Sequence, residues 1–297
     1  MQRNSSPAAY PFVIGIGSQR AGSTLLHRIL SECTRIYMHP VKELHYYDSL
    51  FKVRDVRLLK MFSLKQLNSE WDRMIAAEDF GYIDKRYKCY IRANKMLWLR
   101  PIDTIDYVDL FRPALSENTH FGEITPEYMI LPEEGVRKMH DDLGSETRIV
   151  LVARNPVRRF VSAFKLLRLY NDQPYDMGKF SDDLAETLDS MPDWISQQDR
   201  LSDYESSLRT FRKYFRNVLF ISYDQLVADP ERTHKQLEKF LELDVDKAAY
   251  LRLLNQNINS IGETGQIRRD TEMLLQRRYE RFSRFLSDCF GKNGCVL

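Results

Sequence analysis

From Gly17 to Thr24 the chain reads Gly-Ser-Gln-Arg-Ala-Gly-Ser-Thr. A phosphate-binding loop of the form G-x-x-x-x-G-K-[ST] cradles phosphates with backbone N–H groups and reaches them with its lysine. Both glycines are present and Thr24 closes the pattern, but Ser23 occupies the lysine position. A cation stands three residues earlier, as Arg20. The chemistry on offer is anion binding at a helix N-terminus, where oriented amides and the helix dipole stabilise negative charge. Which phosphate it holds must be decided by other residues.

The second pair is Arg154 and Ser162, in "RNPVRRFVS". Arg154 ends an apolar run, and the C-terminal ends of strands are where open α/β sheets bind ligands. Ser162 falls two turns into the following helical segment. A guanidinium and a hydroxyl so placed could hold a second phosphate group. Taken singly, each residue reads as well as an arginine at a sheet edge and a serine on a helix surface; beside the glycine loop, the ligand reading gains.

The elements that must position these residues are legible. Residues 11–16, "PFVIGI", 148–154, "RIVLVAR", and 217–223, "NVLFISY", are continuous apolar runs. Strands of that kind belong to a parallel sheet covered by helices on both faces. "STLLHRILSEC" carries Leu25, Leu26, Ile29 and Leu30 at helical spacing. Pro156 suits the first turn of a helix. Residues 50–120 read as rim helices and loops. "RRDTEMLLQRRYERFSRFLSDCFG" reads as one closing helix, with Met273, Leu274, Tyr279, Phe282 and Phe285 on its apolar face. The expected fold is a single α/β domain over 11–291, with a flexible start (1–10) and a short tail (292–297).

With the two phosphate motifs in this order, the sequence resembles the sulfotransferases that use 3′-phosphoadenylyl sulfate (PAPS). The resemblance runs from about residue 11 to 291. It implies that Ser18, Gln19, Arg20, Ala21, Gly22, Ser23 and Thr24 grip the 5′-phosphosulfate, and that Arg154 and Ser162 grip the 3′-phosphate. "HPVKELHYYD", residues 39–48, is similar to the E-x-H-F-F-D stretch of the heparan sulfate branch, which implies Glu43 as catalytic base. Sulfuryl transfer to a hydroxyl needs such a proton acceptor, and cations against the charge on the sulfuryl and phosphate oxygens. Lys42 and Arg20 are the candidate cations. His45 is the alternative base; in an extended segment it shares Glu43's face while Lys42 points away. "GEITPEYMIL", residues 122–131, resembles that branch's K-[ST]-P-x-Y segment, but Ile124 stands in place of its lysine, so that lysine's role does not carry over. Glu123, Thr125, Tyr128 and Tyr46 are expected to contact substrate, and Arg268 and Arg269 to approach the nucleotide.

The implied reaction is PAPS-dependent transfer to a hydroxyl of a carbohydrate or small-molecule alcohol, releasing adenosine 3′,5′-bisphosphate, without metal. Tyr46, Tyr47, Trp71, Trp98 and Tyr128 could stack on sugar rings or belong to the core. The basic segment 84–100 could face an acidic acceptor or solvent. Two other readings stay open: a P-loop kinase of small molecules, with Asp224 after "VLFISY" as a weak metal-site aspartate, and a non-catalytic nucleotide- or glycan-binding member of the fold. The formal net charge of +2 argues against a nucleic-acid partner. The four cysteines, Cys33, Cys89, Cys289 and Cys295, have no zinc spacing and read as reduced thiols of a cytoplasmic protein; a Cys289–Cys295 pair is the weaker reading. Neither a signal peptide nor a membrane span is legible.

Overall fold

Five parallel strands form the sheet of the computed structural model, which describes residues 10–170, 178–256 and 267–291. They are β1 (Phe12–Gly17), β2 (Tyr37–Met38), β3 (Phe121–Ile124), β4 (Arg148–Ala153) and β5 (Asn217–Ser222), in the order β2-β3-β1-β4-β5. Alternate side chains of each run enter different cores. Phe12, Ile14, Ile16, Ile149, Leu151 and Phe220 are buried on one face. Val13, Val150, Val152, Leu219 and Ile221 are buried on the other, with the helix Ser23–Cys33. Burial on both faces is why the sequence shows unbroken apolar runs and no alternation.

β1 is central, with β3 on one side and β4 on the other. The chain therefore turns opposite ways from the tips of β1 and β4, which opens a crevice at their C-terminal ends. The glycine loop follows β1, and Arg154 follows β4. Asn155 Oδ1 accepts from the amides of Val157 and Arg158, starting the helix Pro156–Tyr170 over the crevice.

β1, β4 and β5 are legible as apolar runs in the sequence; β2, with two residues, and β3, with four, are not. Both are too short to show a period. The closing helix is corrected: it is two, Arg269–Arg278 and Glu280–Phe290, joined at Tyr279. Leu275 and Tyr279 are buried there, while Met273 and Leu274 are 44% and 48% exposed. Cys33, Cys89 and Cys289 are buried and unpaired. Cys295 and the expected flexible start and tail lie outside the described residues, apart from Tyr10. Among the described residues no helix is long and apolar enough to cross a membrane.

Candidate active site

The glycine loop divides into two sets of residues. Ser18 and Ala21 are fully buried. The Ser18 amide donates to Val152 O at 2.8 Å, its hydroxyl to Leu201 O at 2.7 Å, and the Ala21 amide to Ser18 O at 3.1 Å. These two anchor the loop to β4 and to the turn at Leu201; they do not line the cleft, contrary to the expected direct grip by all seven residues. Gln19, Arg20, Gly22, Ser23 and Thr24 do line it. The turn needs left-handed backbone at Arg20, φ 64°, and Gly22, φ 99°. A Cβ on Gly22 would lie 2.5 Å from the Tyr223 ring, so only glycine fits both the angle and the space.

Tyr223 also carries the second motif. The Arg154 guanidinium lies over its ring, 5.2 Å from the centroid. Arg154 Nη1 donates to Arg20 O at 3.2 Å, and Arg20 Nε donates to Ser162 Oγ at 3.0 Å. The loop, the β4 tip and the Pro156–Tyr170 helix therefore meet through two hydrogen bonds. Burial and the Arg154 charge both lower the Arg20 pKa. Lys165 is lowered by the same two causes. Like charges held this close are relieved by an anion between them. Arg158, Ser162, Lys165 and Leu169 share one face of the helix and line the cleft, a stripe whose lysine the sequence reading did not single out.

Opposite stands a charged cluster on the turn before the short helix Tyr46–Leu50. Glu43 and His45 have φ of 67° and 48°. The segment is thus curled, which corrects the expected alternation. Lys42 does not point away: its Nζ donates to Glu43 Oε1 at 3.3 Å and to Thr24 Oγ1 at 3.0 Å, joining the cluster to the glycine loop. His45 Nε2 lies 3.4 Å from Glu43 Oε2, and His45 Nδ1 lies 2.7 Å from Asp48 Oδ2. Burial acts to lower the imidazole pKa, but the bonds to Asp48 and Glu43 override it and raise it to about 10. Burial acts to raise the Glu43 carboxyl; His45 and Lys42 override it and hold it below the carboxylate range. Glu127 closes the cluster. It is 4% exposed, accepts from Gln19 Nε2 at 3.1 Å, and is raised by burial. Neither Glu127 nor Asp48 was singled out from the sequence; their only signal was adjacency to matched motifs.

Four residues expected at the substrate are elsewhere. Glu123, Thr125, Tyr46 and Tyr128 are at most 2% exposed and lie beneath the cleft. Thr125 Oγ1 donates to Glu123 Oε2 and accepts from the His45 amide, at 2.8 and 3.3 Å. The Tyr128 hydroxyl accepts from the Tyr46 amide at 3.1 Å, and the Tyr46 hydroxyl donates to Ile105 O. Tyr107 donates to Glu123 Oε1. Burial raises the Glu123 pKa to about 6. This network pins the curled turn from below, so these are positioning residues. Ile124 is buried against Gly15 and puts no cation into the cleft.

Arg268 and Arg269 do not line the cleft either. Arg268 pairs with Asp182 at the surface, and both arginines are exposed. The glycine turn before them falls in 257–266, outside the described residues. Asp224 pairs with Arg158 at 3.6 Å. Trp71 and Trp98 are at the surface and away from the cleft, and from the 84–100 segment only Tyr90 and Asn94 reach it. The whole cleft measures about 1340 Å³. Its far end is formed by Leu59, Phe62, Ser63, Gln66, Tyr90 and Asn94 from the helices Val56–Ala76 and Lys85–Leu99.

A profile described as the sulfotransferase family matches residues 11–247. The chain belongs to that family. Its fold is similar to that of a sulfotransferase from Alicyclobacillus acidocaldarius, at 18% identity and a TM-score of 0.58, over 95% of this chain and 96% of that one. The sulfotransferase domain of the Synechococcus PCC 7002 olefin synthase aligns over 93% of this chain and 96% of its own, at 18% identity and a TM-score of 0.44. No curated protein matches in sequence.

Proposed function

We propose that this sulfotransferase moves a sulfuryl group from PAPS to a hydroxyl of a carbohydrate or small-molecule alcohol, with Glu43 as base. One observation carries the reading. Arg20 is bonded both to Ser162 and, through its carbonyl, to Arg154, so two anion-binding elements share one cleft with an ionised carboxylate on the facing wall. A donor with phosphate at both ends of a nucleoside matches two such elements; a β,γ-phosphate pair does not require the second.

Each residue has a part. Ser23, Thr24 and the loop amides face the 5′-phosphosulfate, with Arg20 and Lys42 as cations. Arg154 and Ser162 face the 3′-phosphate. Glu43 takes the hydroxyl proton as the acceptor oxygen bonds to sulfur and the bond from sulfur to the phosphate oxygen breaks. The donor supplies the sulfuryl group and leaves as adenosine 3′,5′-bisphosphate. Both substrates must be bound together for the in-line step, and the cleft runs from the loop to the far end. The polar Ser63, Gln66 and Asn94 beside Tyr90 suit a polar acceptor carrying hydroxyls.

Calorimetric titration with adenosine 3′,5′-bisphosphate, against ATP with magnesium, tests this first. Micromolar binding of the bisphosphate without ATP binding is expected. Tight ATP–magnesium binding with no bisphosphate binding would replace the reading with the kinase.

A further inference from the structure

We infer that Glu43, His45 and Glu127 form a binding site for a divalent first-row transition ion of the zinc class, and that an ion held there stops sulfuryl transfer by occupying the base. The binding stands on the geometry alone; its consequence for turnover rests on the role proposed for Glu43.

One ligand atom from each of the three residues lies within 4.8 Å of the other two. Two carboxylates and an imidazole are a donor set that zinc accepts, with three protein ligands and a fourth position left open. The imidazole is already oriented as in such sites. Its Nδ1 is 2.7 Å from Asp48 Oδ2, so Asp48 holds that N–H, and Nε2, whose proton faces Glu43 Oε2 at 3.4 Å in the metal-free protein, becomes the electron-pair donor when the ion displaces that proton.

The second observation is Glu127. Its side chain is almost fully buried, and Gln19 occupies Oε1. Oε2 has no hydrogen-bond partner and lies 3.9 Å from His45 Nδ1, the nitrogen that faces Asp48. A buried carboxylate oxygen without a donor is costly, and a cation on its His45 side supplies what it lacks. Tetrahedral zinc sets its donors about 3.4 Å apart, so the cluster must contract around the ion. Glu43, 31% exposed at its side chain, is the member with room to move. Lys42 holds Glu43 Oε1 and leaves Oε2 for the metal. The imidazole favours zinc, cobalt or nickel over magnesium, which demands an octahedral oxygen sphere.

The test uses the full chain after chelator treatment. Co²⁺ is titrated in and followed by its visible absorption, and Zn²⁺ is then added in competition. Bisphosphate binding is measured in parallel as the control for folding and for the donor site. One Co²⁺ per chain is expected, displaced by Zn²⁺. Glu127→Gln, which keeps an oxygen for Gln19, should weaken metal at least ~10-fold and leave bisphosphate affinity unchanged. Asp48→Asn, acting through His45, should weaken metal by about 10- to 100-fold, and it serves if Glu127→Gln does not fold. Zn²⁺ should abolish transfer, and chelator should restore it. Equal metal affinity in the wild type and both variants, or no stoichiometric binding, overturns the site. Stoichiometric binding with turnover unchanged overturns the inhibition. Metal binding by a chain that binds no bisphosphate supports the site and removes the reaction proposed for it.

Discussion

Arg154 Nη1 donates to the main-chain oxygen of Arg20 at 3.2 Å. Two residues 134 positions apart thus form one unit: the arginine that ends β4 fixes the backbone of the loop that ends β1. The contact ties the loop after β1 to the tip of β4, and it bears on the first prediction.

Arg154→Ala removes a charge-assisted contact worth about 1.5–3 kcal/mol, so bisphosphate affinity should fall about 10- to 150-fold. Arg154→Lys keeps a charge but not the planar fork, and should recover only part of the loss. Calorimetry decides; unchanged affinity in the alanine variant would remove Arg154 from the donor site.

Glu43→Gln should cut turnover by about 10²- to 10⁴-fold with bisphosphate affinity near that of the wild type. Steady-state kinetics and calorimetry read the two effects separately. Full turnover in this variant would pass the base to His45.

Gly22→Ala meets both a left-handed φ and the Tyr223 ring. The expected cost is about 1–3 kcal/mol, with a lowered melting temperature and lost bisphosphate binding. Gly81→Ala, at an exposed turn where the new methyl meets only the flexible Asp79 side chain, should stay within about 0.5 kcal/mol. Equal melting curves for the two variants would count against the close approach at Gly22.

Tyr128→Phe strips the acceptor from the buried Tyr46 amide and should cost about 1–3 kcal/mol of stability. If Tyr128 acts by holding the Glu43 turn, turnover falls while bisphosphate affinity does not. Unaltered turnover in a destabilised variant would reduce it to a packing residue.

His39 gives a pH dependence. It is fully buried, accepts from the Val41 amide through Nδ1 and donates to Leu110 O through Nε2, so it must be neutral. Burial lowers its pKa from 6.5 to about 4. The unfolded chain therefore takes up the proton first as pH falls. The stability that His39 contributes is full above about 6.5 and is lost as pH falls toward 4, by about 3 kcal/mol in all. Denaturant unfolding of His39→Gln should show a shallower loss across that window; an identical slope would place the titration elsewhere.

Much of this protein was written in short-range patterns. The glycine loop, the Arg154–Ser162 spacing and three strands are local signals, because backbone conformation and two-sided burial constrain neighbouring residue types directly. The family resemblance rested on those same residues. What needed the tertiary structure was every question of which side a residue faces. Glu43 and Lys42 converge because left-handed residues curl their segment, and nothing in "VKELH" signals that. Ser18 and Ala21 turn inward although their neighbours in the same motif line the cleft. Tyr46, Glu123, Thr125 and Tyr128 sit in matched motifs yet work from beneath, since their polar atoms are satisfied by one another, by Tyr107 and by Ile105 O. Glu127 and Lys165 reach the site only because β3 and the helix after β4 come to the same crevice. Contacts between segments some 80 to 140 residues apart depend on strand order, and strand order is a property of the folded sheet that no local run of side chains records.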